Sequence, residues 1–256
     1  MKSKFMAKSP LMAAAATLAL TLAACGGSGA NNMAGITPPA TPVTNVAAPT
    51  GTDWTQTIRE TERGFVMGNP DAAVKLVEYA SITCPHCGQF SNEGGSEGLR
   101  NLVRSGRVSW EFRPYMIFPT DPGLFALLRC NGVEGYFQTV DQLYAEQEAW
   151  GARAQQYLSA NQAAFGGMEV AQRAATLARE SGVDAFFRQR GMTQQQIDQC
   201  LADPRNLQRV ADDTQHASQA EGVSGTPTFF INGTRVPPTV GLWPQLEPLL
   251  QQALGS

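Results

Sequence analysis

A strand-to-helix junction places the tightest constraint on this chain. Val74 to Ala80 (VKLVEYA) is apolar and β-branched enough to read as a buried strand. Within four residues it reaches Cys84-Pro85-His86-Cys87, and a helical pattern then continues to about Arg104. A cysteine at this point sits at a helix N-terminus, where unpaired N–H groups and about half a unit of positive charge favour an anion. The thiolate is the reactive form of cysteine, so Cys84 is the expected nucleophile. Cys87, one turn on, is placed to attack a mixed disulfide formed at Cys84. His86 adds a donor or a positive charge beside the thiolate, which stabilises the reduced state and makes the disulfide more oxidising.

The surrounding pattern is short strands and many helices. Gly64 to Met67 reads as a first strand, ended by the turn Gly68-Asn69-Pro70. Gly94, Gly95 and Gly98 each weaken the helix after the cysteines by about 1 kcal/mol relative to alanine, so a kink is expected there. Val108 to Tyr115 is the next strand. Residues 122 to about 219 read as helical, with stops near Gly132, Gly151, Gly166, Gly182, Gly191 and Pro204. Thr228 to Ile231 and Thr234 to Val236 flank Asn232-Gly233, a hairpin turn that wants positive φ at both positions. Leu242 to Leu254 is a closing helix with Pro244 in its first turn. This order predicts one α/β domain, residues 54–256, with an all-helical insertion at about 122–219 between its halves.

Other chemistries for the cysteine pair fit less well. A zinc site needs four ligands, but the remaining cysteines of the domain, Cys130 and Cys200, are isolated and the chain has 2 histidines. A c-type haem site needs histidine directly after the second cysteine, where this chain has Gly88. A purely structural C-x-x-C disulfide stays open. The formal charge of -3 excludes a strongly basic nucleic-acid binder.

Gly225-Thr226-Pro227-Thr228-Phe229 is a second constellation, with Pro227 a candidate cis-proline between a loop and a strand. With the strand–CPHC–helix unit and the helical insertion, it resembles the thioredoxin superfamily, specifically the periplasmic disulfide oxidoreductases of the DsbA type. The resemblance runs from about Gly64 to Leu254. It implies a thioredoxin fold with the insertion between the βαβ and ββα halves. It also implies that Cys84 is the exposed nucleophile, Cys87 the buried resolving thiol, Pro227 the cis-proline and Thr226 the residue beside the sulfurs. Glu78 corresponds to a buried acid that exchanges protons with Cys87; the alternative is an ordinary exposed strand glutamate. Some relatives carry a second, non-catalytic disulfide, which implies a Cys130–Cys200 bond; the alternative is two buried free thiols. No metal or bound cofactor is implied beyond the redox-active pair itself.

The N-terminus suggests export. Lys2, Lys4 and Lys8 precede an apolar run from Leu11 to Leu22, too short for a bilayer core that needs about 20 residues. Leu22-Ala23-Ala24-Cys25-Gly26 is similar to the lipobox of bacterial lipoproteins, which implies cleavage of residues 1–24 and lipidation of Cys25. The mature chain would keep 16 basic against 22 acidic side chains, so attraction to anionic lipid is not the anchor. Residues 26–52 carry no charge and read as a flexible tether within 25–53, with a reach of roughly 30 Å. Gly26 after the cysteine points to the outer membrane.

The expectation is a monomeric, lipid-anchored thiol:disulfide oxidoreductase of the periplasm. It would oxidise reduced or misoxidised exported proteins and be reoxidised by a membrane redox partner. Thr226 departs from the strong oxidases, which commonly have valine there. A reductase or isomerase kept reduced by a membrane donor is therefore an alternative, and so is a non-catalytic chaperone or metal carrier. His216 reads as a solvated surface histidine. Phe118, Phe125, Phe137, Phe186 and Phe187 read mainly as core, and the sequence does not sort out which of them line a groove.

Overall fold

The computed structural model describes residues 35–256. The expected signal peptide and Cys25 lie outside the described residues. A 3-10 turn at Trp54–Gln56 leads into β1 (Ile58–Glu60), β2 (Phe65–Gly68) and β3 (Val74–Ala80). Next come α1 (Pro85–Phe90), a π turn (Ser91–Gly95), α2 (Ser96–Arg104) and β4 (Val108–Pro114). The insertion comprises α3 (Asp121–Cys130), α4 (Tyr136–Ala145), α5 (Gln147–Ala160), α6 (Gln162–Gly166), α7 (Val170–Ser181), α8 (Val183–Arg188), α9 (Gln194–Ala202) and α10 (Pro204–Ala220). β5 (Thr228–Ile231), β6 (Thr234–Arg235) and α11 (Trp243–Leu254) close the chain.

The strands form one sheet in the order β1-β2-β4-β3-β5-β6. β3 lies between β4, to which it is parallel, and β5, to which it is antiparallel. Successive side chains of a strand point to opposite faces. Leu76 and Ala80 therefore join the main core, with Glu78 between them on that face. Val77 and Tyr79 meet a smaller cluster with Ala217 of α10 and Val223. Both faces of β3 are covered, which explains its nearly continuous apolar sequence. Asn232 and Gly233 turn β5 into β6 with φ of 49° and 80°.

The break after α1 falls at Gly94, whose φ is +98°. Gly98 lets the Trp243 ring lie against α2, where a Cβ would collide with it. Gly151 does not stop a helix: α5 runs through it, and nothing lies within 4 Å of where its Cβ would stand. Its cost is one of propensity alone, and packing of the rest of α5 outweighs it. β1 is a three-residue edge strand too short to give a periodic signal.

Much of the segment read as a free tether lies on the domain. Ile36 is buried in the main core, with Val43 and Ala48 packed against it. Val43 N–H donates to Leu254 O at 2.8 Å, Val46 N–H to Ser105 O at 2.9 Å, and Trp54 Nε1–H to Val46 O at 2.8 Å. Pro39 and Pro42 lie against Gly255. Prolines lose little chain entropy on ordering, so spaced apolar residues suffice to dock a strap of this kind.

Cys130 at the end of α3 is bonded to Cys200 of α9, with an S–S distance of 2.07 Å and a sequence separation of 70. The bond ties α3, the first helix of the insertion, to α9. Loop entropy for such a closure is worth about 4 kcal/mol at most. The double variant Cys130→Ser/Cys200→Ser should unfold at clearly lower denaturant, a loss of roughly 2–4 kcal/mol. An unchanged midpoint would contradict a stabilising role.

Candidate active site

Cys84 ends the turn that follows β3 and caps α1. Its N–H donates to Ser81 O at 3.2 Å, and its carbonyl accepts the Gly88 N–H at 3.1 Å. Pro85 takes the first helical position, where its missing N–H costs nothing. Pro85 and His86 are exposed, and Cys87 is fully buried. Cys84 is only 4% exposed, so the expected exposed nucleophile is instead recessed. The reason is the loop opposite. β5 pairs with β3 through Tyr79↔Thr228 and Glu78↔Phe229, which brings the cis Thr226–Pro227 bond beside the cysteine. Cys84 Sγ lies 3.4 Å from Thr226 O, and the Thr226 hydroxyl is buried beside the two sulfurs.

Glu78 lies beneath this pair, 2% exposed, and accepts one hydrogen bond, from Trp110 Nε1–H at 2.9 Å. The ordinary exposed-strand reading of Glu78 therefore does not hold. Three further side chains of the insertion reach the turn before Cys84, and sequence reasoning singled out none of them. Tyr144 donates to Ser81 O at 3.1 Å. Gln147 Nε2 donates to both Ile82 O at 2.7 Å and Cys84 O at 2.9 Å. Asp121 accepts from Ser81 and Thr83. Only Asp121 carried a signal: it precedes Pro122 at a helix start, which reads as a cap rather than as a site residue.

Two clefts flank the cysteines. One, of about 390 Å³, runs past His86, Thr226, Pro227 and Leu242. The other, of about 340 Å³, is bounded by Thr83, Pro85, Phe118, Trp150 and Leu158. Phe118 is 48% exposed, whereas Phe125, Phe137, Phe186 and Phe187 are core. His216 Nε2 stands 3.5 Å from Glu221. Among the described residues no cluster of His, Cys, Asp and Glu is arranged to hold a metal ion.

A family model described as thioredoxin matches residues 60–243. The chain belongs to the thioredoxin family. A Rickettsia bellii protein described as a candidate protein-disulfide oxidoreductase is 23% identical over 180 residues, which is 70% of this chain but 61% of that relative's length. The crystal structure of a protein-disulfide isomerase from Novosphingobium aromaticivorans is similar at 27% identity and a TM-score of 0.70, covering 75% of this chain and 97% of that one. Wolbachia pipientis alpha-DsbA1 shares the fold at 18% identity and a TM-score of 0.59, covering 80% of this chain and 96% of its own. The helical insertion between β4 and β5 elaborates the thioredoxin fold as the resemblance implied.

In this thioredoxin-family site the two cysteines are driven apart electrostatically. Burial pushes the Cys87 thiol well above its ordinary value. Its neutral S–H then donates to the Cys84 sulfur. That hydrogen bond is the largest influence bringing Cys84 down to about 5, against desolvation; the Thr226 side chain and then the backbone N–H groups of Cys87 and His86 at the start of α1 add to it. Burial pushes Glu78 up to about 8, reinforced by Asp141 and opposed by the Trp110 hydrogen bond.

The sign of the pH effect follows. Cys84 is depressed from an ordinary value of 9.0, so its thiolate contribution to the reduced fold is complete above about pH 9 and is lost as pH falls through about 5. Between pH 5 and 8 the stability of the reduced protein should therefore rise relative to the oxidised one. Thiolate absorbance at 240 nm should titrate near pH 5, and Cys87→Ala should move that midpoint upward. A midpoint near 9 in the parent protein would refute the arrangement.

Proposed function

We propose that this chain is a thiol:disulfide oxidoreductase that oxidises protein thiols by exchange through Cys84 and Cys87. One observation carries the reading: Cys84 caps α1 opposite the cis Thr226–Pro227 bond, 3.4 Å from Thr226 O, with Cys87 fully buried one turn on. That arrangement favours the dithiol form and leaves the disulfide avid for electrons.

A substrate thiolate attacks Cys84 Sγ of the oxidised pair. The Cys84–Cys87 bond breaks, and the Cys87 sulfur leaves with the electron pair. Burial disfavours an anion at Cys87, so a proton must follow. Glu78, neutral up to about pH 8, is the group beneath it that supplies one. A second substrate thiolate then attacks the substrate sulfur of the mixed disulfide, and Cys84 leaves as its stabilised thiolate. Two electrons have passed from substrate to the pair, and the substrate has gained one disulfide. The backbone beside Pro227 would pair with the substrate chain. A membrane redox partner then removes the two electrons and restores the disulfide. No bound cofactor enters these steps.

The substrates would be reduced or misoxidised exported proteins, met by a monomer in the periplasm. The export-type N-terminus supports that compartment, and the lipobox supports an anchor at Cys25, with Gly26 favouring the outer membrane.

Thr226 favours a second reading, that of an isomerase or reductase kept reduced by a membrane donor; the description of the Novosphingobium protein as an isomerase is consistent with it. Mixing the oxidised protein with a reduced unfolded substrate separates the two. Oxidation should deposit disulfides in the substrate, with loss of all turnover in Cys84→Ser and slowing on the order of 10²-fold in Glu78→Gln. A parent protein that leaves free thiols untouched but reshuffles a scrambled substrate when reduced would favour the isomerase.

A further inference from the structure

Asp121 is fully buried, and among the described residues no cation lies within salt-bridge distance of it. A carboxylate in such a place is costly unless donors surround it. Here they do. Ser81 Oγ–H reaches both carboxylate oxygens at 3.0 Å. Thr83 donates through its N–H at 3.3 Å and its Oγ1–H at 2.9 Å. From the other side come the Ile117 N–H at 2.7 Å and the Phe118 N–H at 2.9 Å. Burial still pushes the carboxyl above its ordinary value, against these bonds.

Those donors belong to two separate pieces of chain. Ser81 and Thr83 form the turn that delivers Cys84 from β3 to α1. Ile117 and Phe118 belong to the loop between β4 and α3, and their side chains are 42% and 48% exposed. Thr83 and Phe118 stand in the walls of the same 340 Å³ cleft beside the cysteines. We propose that Asp121 is a positioning residue of the redox site: its carboxylate locks the Ser81–Thr83 turn to the Ile117–Phe118 loop, and so fixes Cys84 against its donors at the start of α1. Tyr144 and Gln147 hold carbonyls of the same turn from α4 and α5, whereas Asp121 joins it to the Ile117–Phe118 loop.

The proposal rests on the reading of Cys84 as the reactive sulfur. A carboxylate acting only by its field would be indifferent to the loss of the Thr83 hydroxyl, whereas a positioning carboxylate would not. Thr83→Val keeps the charge and the side-chain shape and removes one of the bonds. Thiolate absorbance at 240 nm is followed against pH for the parent, Thr83→Val, Asp121→Asn and the double variant, with thermal unfolding measured alongside. The Cys84 midpoint should rise in Thr83→Val by about half a unit or more, roughly a threefold loss in the thiolate equilibrium. In the Asp121→Asn background, Thr83→Val should add less than it does alone, because the two act through one bond network. A Thr83→Val midpoint equal to the parent's, or additive shifts, overturns the proposal. If Asp121→Asn does not fold, the Thr83→Val midpoint decides alone, since Ser81 Oγ bonds Thr83 Oγ1 directly at 2.8 Å and a Ser81 variant would be non-additive with it whatever Asp121 does. Exchange turnover is read separately: a parent that fails to exchange disulfides sinks the functional reading, while the midpoint shift still decides the role of Asp121.

Discussion

The burial of Cys87 one turn below Cys84, opposite the cis Thr226–Pro227 bond, is the constraint on which the candidate site depends. Cys87 is kept protonated because burial makes its anion expensive. The proton it keeps is what stabilises Cys84 as an anion. The chemistry requires both halves together: a thiolate near the surface that leaves easily, and a resolving sulfur beneath it that needs a proton to leave. In the proposed exchange Glu78 would be the third element, a carboxyl that burial pushes up to about 8 and that, among the described residues, accepts a hydrogen bond from the Trp110 indole.

The fold holds the two cysteines in one geometry. β3 is central in the sheet and covered on both faces, so the turn at its end has little freedom. The cis Thr226–Pro227 loop is brought over Cys84 by the pairing of β5 with β3. From the opposite side the insertion contributes Asp121, Tyr144 and Gln147 to the turn. The insertion is thus structural support for the dithiol as well as a wall of the neighbouring cleft, where Phe118 leaves its ring exposed beside Pro85.

How legible this was depended on how local each signal is. The cysteine pair, the proline loop, the hairpin turn and the buried strand are short motifs whose chemistry stands in consecutive residues, and they were readable. Glu78 was readable because its neighbours on the strand are apolar. Asp121 was not, since its role depends on Ser81 and Thr83, about forty positions earlier, and its local context resembles any helix start. Gln147 and Tyr144 are ordinary polar and aromatic residues of amphipathic helices until the fold brings them to the turn. The strap from Ile36 looked like a tether because single apolar residues separated by prolines leave no period. Gly151 misled for the converse reason: a local helix-breaking preference of about 1 kcal/mol yields to the packing of the rest of the helix.

The central claim is that stabilisation of the Cys84 thiolate makes this pair an electron acceptor. The reduction potential of Cys84–Cys87, measured by equilibration in glutathione buffers, tests that most directly. The account predicts a value close to the strongly oxidising end of the superfamily, about -120 mV. A value near about -270 mV, that of thioredoxin itself, would contradict it.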